Sequence, residues 1–138
     1  MTEPRQAKLP GNCWPQMIEI RNLTRRPVNK LSLERLAKKV LKRENRTLEN
    51  LSIVLTGRKR IRLLNKNFRK KDSPTDVLAF GSGLNEIVLC PAVIGENSKK
   101  SGLSFDEELQ RALVHGILHA LGHEHGAEMF LKQESYLK

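Results

Sequence analysis

All four histidines of the chain lie in one stretch, residues 115–125, which reads HGILHALGHEH. His115 and His119 are four residues apart, so an α-helix would place both imidazoles on one face. Gly122 can take a left-handed backbone conformation and end that helix, and the turn would then bring His125 back toward the other two. Three neutral imidazoles with a fourth position left to water are the arrangement of catalytic zinc. The spacing therefore predicts a metal site at His115, His119 and His125.

The spacing HxxxHxxGxxH also occurs in the metzincin peptidases, which carry a glutamate directly after the first histidine as the general base. In this chain Gly116 occupies that position. Glycine cannot accept a proton, so the pattern keeps the geometry of the ligands without the base of a peptidase. Peptidase activity is therefore disfavoured, and the sequence identifies no general base.

The charge of the chain is unevenly distributed. The net charge is +10, and it divides into +15 for residues 1–71 and −5 for residues 72–138. Such a basic half predicts attraction to a polyanion. Aromatic residues make up 4% of the chain, so a base-stacking platform of the usual kind is not expected.

The sequence also indicates where the protein works. No apolar run approaches the roughly 20 residues of a membrane helix, and the first residues contain no secretory signal. Cys13 and Cys90 are too far apart for a thiolate zinc pair, and both are expected to be reduced thiols, with Cys90 buried at the end of a strand. We therefore expect a cytoplasmic protein without membrane contact.

Hydrophobic periodicity indicates the strands that must hold these residues. Strands are predicted at residues 17–22, 51–55, 76–80 and 86–90. The last of them is mostly apolar, which predicts a central position in a sheet.

Five helices are predicted between and after these strands. The first begins at an Asn29 cap and the second at a Thr56 cap. On the second helix the inward positions are Ile61, Leu64 and Phe68. The others are a short helix from Pro91 to about Lys100, a helix from a Ser104–Glu107 capping box to Gly122, and a helix over most of residues 127–137.

These elements predict an α+β fold, an α/β sandwich. A small, roughly four-stranded mixed sheet would pack against about five helices, with the metal site at the end of a long central helix. Residues 1–16 are expected to form a flexible leader, and residues 17–138 a single domain.

Three sequence blocks resemble the signatures of one protein family. HGILHALGHEH resembles the H-G-x-L-H-x-x-G-x-[DE]-H signature of the YbeY-type endoribonucleases. NKNFRKKDSPTDVLAF resembles their N-x-x-[FY]-R-x-x-D-x-P-T-D-V-L-[ST]-F signature, and LNEIVLCP resembles a third block in which G-[DE]-I begins a strand. The blocks follow the order of the family and extend over residues 65–125.

The resemblance implies a zinc-dependent, single-strand-specific endoribonuclease with one zinc ion per chain. It implies action in ribosomal RNA processing, namely 3′-end maturation of 16S ribosomal RNA, and in ribosome quality control. Single-stranded RNA, ribosomal RNA and the small ribosomal subunit would be the partners. The sequence does not indicate the oligomeric state.

The resemblance also assigns roles to individual residues. The metal ligands carry over to His115, His119 and His125, and the functional arginine of the family falls on Arg69. An arginine suits the negative charge that develops on a phosphodiester during attack. Lys70 and Lys71 stand beside it and are predicted to bind substrate.

The chain departs from the family signatures at three positions. Ala79 replaces a serine or threonine, Asn85 replaces a glycine, and His123 replaces a tyrosine or phenylalanine. His123 could compete as a ligand or act in proton transfer, although Gly122 should end the helix before it. Glu86 could orient a ligand histidine, lie near the substrate, or simply face water.

Two other functions stay open at this point. One is a ribosome-associated assembly factor in which zinc is mainly structural or cleavage is weak. The other is a different metallohydrolase, acting on peptides or small molecules. The basic half of the chain disfavours the second of these.

Overall fold

The computed structural model describes residues 17–46, 50–80, 85–123 and 126–138 of the chain. Four strands and five helices lie in these ranges, which confirms the predicted α+β fold. The predicted leader at residues 1–16, including Cys13, lies outside the described residues. In chain order the elements are β1 Ile18–Asn22, α1 Lys30–Arg43, β2 Leu51–Leu55, α2 Arg58–Arg69, β3 Val77–Phe80, β4 Asn85–Leu89, α3 Pro91–Ser101, α4 Phe105–Ala120 and α5 Ala127–Tyr136.

The strands form one mixed sheet in the order β1-β2-β4-β3. β1, β2 and β4 are parallel, and β3 runs antiparallel to β4 along one edge. The central position predicted for β4 is confirmed. Its side chains and those of β2 are largely buried, as expected for strands covered on both faces.

Helices cover the two faces of the sheet unequally. On one face α1, α4 and α5 bury a large core with alternate residues of the strands, including Ile53, Ile87 and Leu89. On the other face α2 buries a small cluster made by Ile61, Leu78, Val88 and Cys90. Cys90 is a buried, reduced thiol at the end of β4, as predicted.

The signals that begin two helices are confirmed. The side chain of Asn29 accepts a hydrogen bond of 3.0 Å from the backbone N–H of Ser32 at the start of α1. Ser104 and Glu107 form both hydrogen bonds of the predicted capping box at the start of α4, 3.1 and 2.9 Å long. Both polar caps therefore satisfy N–H groups that have no partner within the helix.

Two predictions about α2 are wrong. The cap is Gly57. Thr56, which directly follows β2, is buried and donates its backbone N–H to the carbonyl of Leu89 at 2.9 Å. Phe68 does not face the core. Its ring is 64% exposed and contacts Phe80 edge-on, with 5.2 Å between ring centroids.

No helix in the described part of the chain is long and apolar enough to cross a membrane.

Candidate active site

The end of α4 brings the first two predicted ligands together. The helix ends at Ala120, and Gly122 takes a left-handed conformation with φ of 99°. The N–H groups of Gly122 and His123 donate back to the carbonyls of His119 and Leu118, both at 3.0 Å, which is the hydrogen-bond pattern of a Schellman turn. The predicted exit from the helix at Gly122 is thus confirmed.

His115 and His119 lie one helical turn apart with their ring centroids 6.2 Å from each other. Both imidazoles therefore lie on one face of α4, as the four-residue spacing predicted. His125 lies outside the described residues, so its approach to these rings stays a prediction. Within the described ranges no three His, Cys, Asp or Glu side chains are grouped so that they could hold a metal ion.

Both rings are oriented by oxygen acceptors at Nδ1. The Nδ1 atom of His115 lies 2.9 Å from Oε1 of Gln133, and that of His119 lies 3.4 Å from the carbonyl oxygen of His123. The Nε2 group of Gln133 donates to Glu134, which leaves its oxygen directed at the ring. A neutral imidazole that donates from Nδ1 carries its lone pair on Nε2, the form in which histidine binds a metal. The donor set and its orientation therefore fit zinc.

Gly116 has a structural reason to be glycine. A Cβ atom at this position would lie 2.8 Å from a methyl of Val77 and 2.9 Å from a methyl of Ile87. Helix α4 thus packs directly on β3 and β4, and no side chain fits between them. The position that holds the general base in metzincins is a close helix–sheet contact here.

A cleft of about 550 Å³ runs along the edge strand β3 and contains both histidines. Arg69 and Lys71, which are predicted to bind substrate, line it at the end of α2. Lys70 is not among the described residues that line it. Lys70 takes a left-handed conformation with φ of 62°, which reverses the chain after the helix.

The loop after α2 is fixed by Asn65, whose side chain is only 3% exposed. Its Nδ2 donates to the backbone carbonyl of Ser73 at 2.9 Å, and the backbone carbonyl of Asn65 accepts from the N–H of Lys71 at 3.3 Å. At the surface, Asp72 forms a 2.8 Å ion pair with Arg62, whose hydrogen bond lowers the pKa of that carboxyl. Asp72 therefore helps to shape the loop.

Asp76 differs from Asp72 because it lines the cleft. Its backbone carbonyl accepts from the N–H of Cys90 at 2.9 Å, and its carboxylate accepts from the hydroxyl of Thr75 at 3.3 Å. Among the described residues of the cleft it is the one carboxylate. The loop thus places an acid in the same cleft as the two imidazoles.

A buried carboxylate outside the cleft holds the segment after α4. Glu44, 8% exposed, accepts from His123 Nε2 at 2.9 Å, from Lys132 at 3.1 Å, and from the hydroxyl of Tyr136. Burial alone would raise the pKa of Glu44, but the three hydrogen bonds together lower it below its usual value. Burial and the bond to Glu44 raise the pKa of Tyr136 to about 12.

The contact with Glu44 indicates the role of His123. Its Nε2 binds Glu44, while its backbone carbonyl accepts from His119. His123 is not among the described residues that line the cleft. The geometry therefore does not support the suggestion that His123 acts as a metal ligand, and it indicates a positioning role.

The sequence reasoning missed Gln133, Asn65 and Glu44 as residues that orient the site. Each is a polar side chain that packs inward from a helix or its end. The available signal was a polar residue on the buried side of an amphipathic pattern. That signal does not identify the partner, because the partners lie up to 92 residues away in the chain.

Comparison with known proteins decides the family. The family Endoribonuclease YbeY matches residues 19–138. The chain belongs to the YbeY family. This confirms the resemblance seen in the sequence blocks.

Curated members of the YbeY family support this assignment over different lengths. Endoribonuclease YbeY of Bdellovibrio bacteriovorus is 45% identical over 92 residues, 64% of this chain and 61% of that protein. The protein of the same name from Aquifex aeolicus is 37% identical over 75% of this chain and 74% of its own length. The one from Chlorobium luteolum is 32% identical over 88% and 96%. The match covers slightly less than two thirds of the length of several relatives. For Endoribonuclease YbeY of Thermotoga neapolitana the covered share is 66% of its length.

A solved structure has the same fold. The solution structure of TM1509 from Thermotoga maritima superposes with a TM-score of 0.64 at 32% identity, and the match covers 88% of this chain and 87% of that one.

Two departures from the YbeY signatures, Ala79 and Asn85, can now be placed, together with Glu86. Ala79 lines the cleft, so the hydroxyl expected from the signature is absent there. Asn85 is buried at the start of β4. Glu86 does not reach His115 or His119, because it points to the α2 side of the sheet while its neighbour Ile87 packs beneath Gly116.

Proposed function

We propose that this protein is a zinc-dependent endoribonuclease that cuts single-stranded RNA in the cleft along β3. The observation that carries the proposal is the meeting of two imidazoles, both oriented through Nδ1, with Arg69 and Lys71 in one cleft. A metal-binding pair beside two phosphate-binding cations suits a phosphodiester substrate. The names of the curated relatives agree with RNA as the substrate.

His115, His119 and His125 would hold the ion. When bound there, zinc would supply Lewis-acid activation of water for attack on phosphorus. Gln133 and the carbonyl of His123 keep the two described rings in the tautomer that this task requires. His125 is included because of the sequence signature.

The basic residues would hold the scissile phosphate and its neighbour. Arg69 ends α2, where a cation is also favoured by the helix dipole. Its planar guanidinium can donate two hydrogen bonds to the nonbridging oxygens, which gain charge in the transition state. Lys71, as a point charge, suits an adjacent phosphate.

Asp76 is the candidate for moving a proton. It lies in the cleft, and its carboxylate can accept a proton from the attacking water or return one to the leaving oxygen. We assign this role because Gly116 supplies no acid or base.

The biological substrate would be ribosomal RNA. The family resemblance favours maturation of the 3′ end of 16S ribosomal RNA and ribosome quality control, with the small ribosomal subunit as partner. The basic half of the chain suits such a substrate by its charge.

The experiment is cleavage of an end-labelled single-stranded RNA by purified protein. The variants are His119→Ala, Arg69→Ala and, as a charge-matched control on the outer side of α1, Arg35→Ala. Circular dichroism would check that each variant folds. We expect cut products from the wild type and Arg35→Ala, and a loss of about 100-fold or more in the other two.

Two outcomes would contradict the proposal. Equal cutting by all four proteins would identify a contaminating nuclease. RNA binding without cutting by any of them, in the presence of zinc, would favour the assembly-factor function instead.

A further inference from the structure

A second, smaller groove lies on the face of the sheet that carries α2. It has a volume of about 250 Å³, and Val54 and Val88, which are paired across β2 and β4, form its floor. One wall is a stripe of α2 in which Arg60, Leu64 and Phe68 follow at four-residue intervals. Since its volume is less than half that of the cleft, the groove suits one nucleotide rather than a longer segment.

Two arginines supply positive charge to this groove. Arg21 reaches it from β1 and Arg60 from α2, and both side chains are exposed. Within the described part of the chain, neither arginine side chain forms an ion pair or a hydrogen bond. By contrast, Arg58 and Arg62 of the same helix are each paired with a carboxylate. The unpaired guanidinium groups are therefore the ones suited to bind phosphate.

Phe68 connects the second groove with the cleft. The rings of Phe68 and Phe80 line both of them. Phe80 meets Phe68 at an interplanar angle of 72°, and 64% of Phe68 stays exposed. The low aromatic content predicted no extended stacking platform, but a single exposed ring beside cations is sufficient to stack one unpaired base. A strand leaving the cleft would thus meet a stacking surface first and the arginines next.

We propose that the second groove is a subsite for the nucleotide next to the scissile one, with its base stacked on Phe68 and its phosphate held by Arg21 and Arg60. Glu86 completes the subsite as a hydrogen-bond acceptor for the donor edge of a base. This inference rests on the proposed function of the cleft. It assigns RNA binding to a face of the sheet opposite to the one on which α4 packs.

The test is binding of a short, fluorescein-labelled single-stranded RNA, followed by anisotropy in EDTA so that the RNA is not cut. Arg60→Ala, Phe68→Ala and Phe68→Tyr would be compared with Arg69→Ala and with the control Arg35→Ala. All these side chains are exposed, so the variants should fold. Salt would be varied in each titration.

The subsite predicts distinct results for each change. Phe68→Ala should weaken binding at least about fivefold and Phe68→Tyr should restore it, because tyrosine also stacks. Arg60→Ala should lower the slope of log affinity against log salt by about 0.7, the value for one phosphate contact on a single strand. A side chain with a purely structural role would not change that slope.

Failure of the subsite can be told apart from failure of the cleft. If Arg60→Ala and Phe68→Ala bind like Arg35→Ala while Arg69→Ala binds weakly, RNA does not enter the second groove, although the cleft still binds it. If Arg69→Ala also binds like the wild type, the proposed function of the cleft fails as well.

Discussion

Replacement of Gln133 by methionine should weaken zinc binding without a direct change to any ligand. Gln133 is 7% exposed on α5 and accepts from Nδ1 of His115 at 2.9 Å. Methionine has a similar length and flexibility but gives only a weak acceptor. In the variant the proton of His115 is no longer fixed on Nδ1, and the ring can turn or take the other tautomer.

The size of the effect follows from this single hydrogen bond. Loss of a partner that orients a ligand histidine typically costs 10- to 100-fold in metal affinity, which is about 1.4–2.7 kcal/mol. The metal-free protein should lose only about 1 kcal/mol in the free energy of unfolding, because His115 is half-buried and water can reach part of the ring. Zinc affinity should therefore fall more than stability does.

The assay is a zinc titration in competition with a chromophoric chelator, beside urea unfolding of the metal-free proteins. Gln133→Glu is the matched control, since a carboxylate keeps the acceptor and should bind zinc at least as tightly as the wild type. An unchanged zinc affinity in folded Gln133→Met would refute the orienting role of Gln133.

Further predictions concern packing, pH and Arg69. Gly116→Ala should lower the free energy of unfolding in urea by about 1 kcal/mol, because overpacking against β3 and β4 outweighs the gain in helix propensity; a more stable variant would contradict this. The raised pKa of Tyr136 contributes stability that is complete below about pH 10 and is lost as the pH rises toward about 12. The melting temperature of Tyr136→Phe should thus fall less than that of the wild type over this range, and parallel curves would argue against the contact with Glu44. The lowered pKa of Glu44 contributes stability that is present above the ordinary glutamate pKa and is lost in acid, so the acid loss of melting temperature should be shallower in Glu44→Gln. Arg69→Lys should keep RNA binding within a few-fold but slow cleavage on the order of 10- to 100-fold, and full activity would rule out bidentate contact.

The fold could be predicted from sequence wherever local signals agreed with burial. The apolar run of β4 indicated a central strand, and the capping box at Ser104 fixed the start of α4. Gly122 predicted the exit from that helix because only a left-handed residue permits the turn that forms there. Each of these features is determined by residues that are close together in the sequence.

The errors arose where distant contacts decide the outcome. Phe68 has the period of a core position, but the ring lies between two grooves and packs on Phe80. The sequence showed that Gly116 supplies no base but gave no reason for glycine there, and that reason is the close approach of two strands that are separate from α4 in sequence. Likewise, no local pattern links Glu44 to His123 or Gln133 to His115.

The most direct measurement of the central claim is RNA cleavage as a function of added zinc. Protein stripped with a chelator would be refilled stepwise, and single-stranded RNA cleavage would be measured at each step for the wild type and for His119→Ala. Wild-type activity should rise from near zero and level off at about one zinc ion per chain, with no rise in the variant. Full cleavage by zinc-free wild-type protein, or an equal rise in folded His119→Ala, would contradict the account.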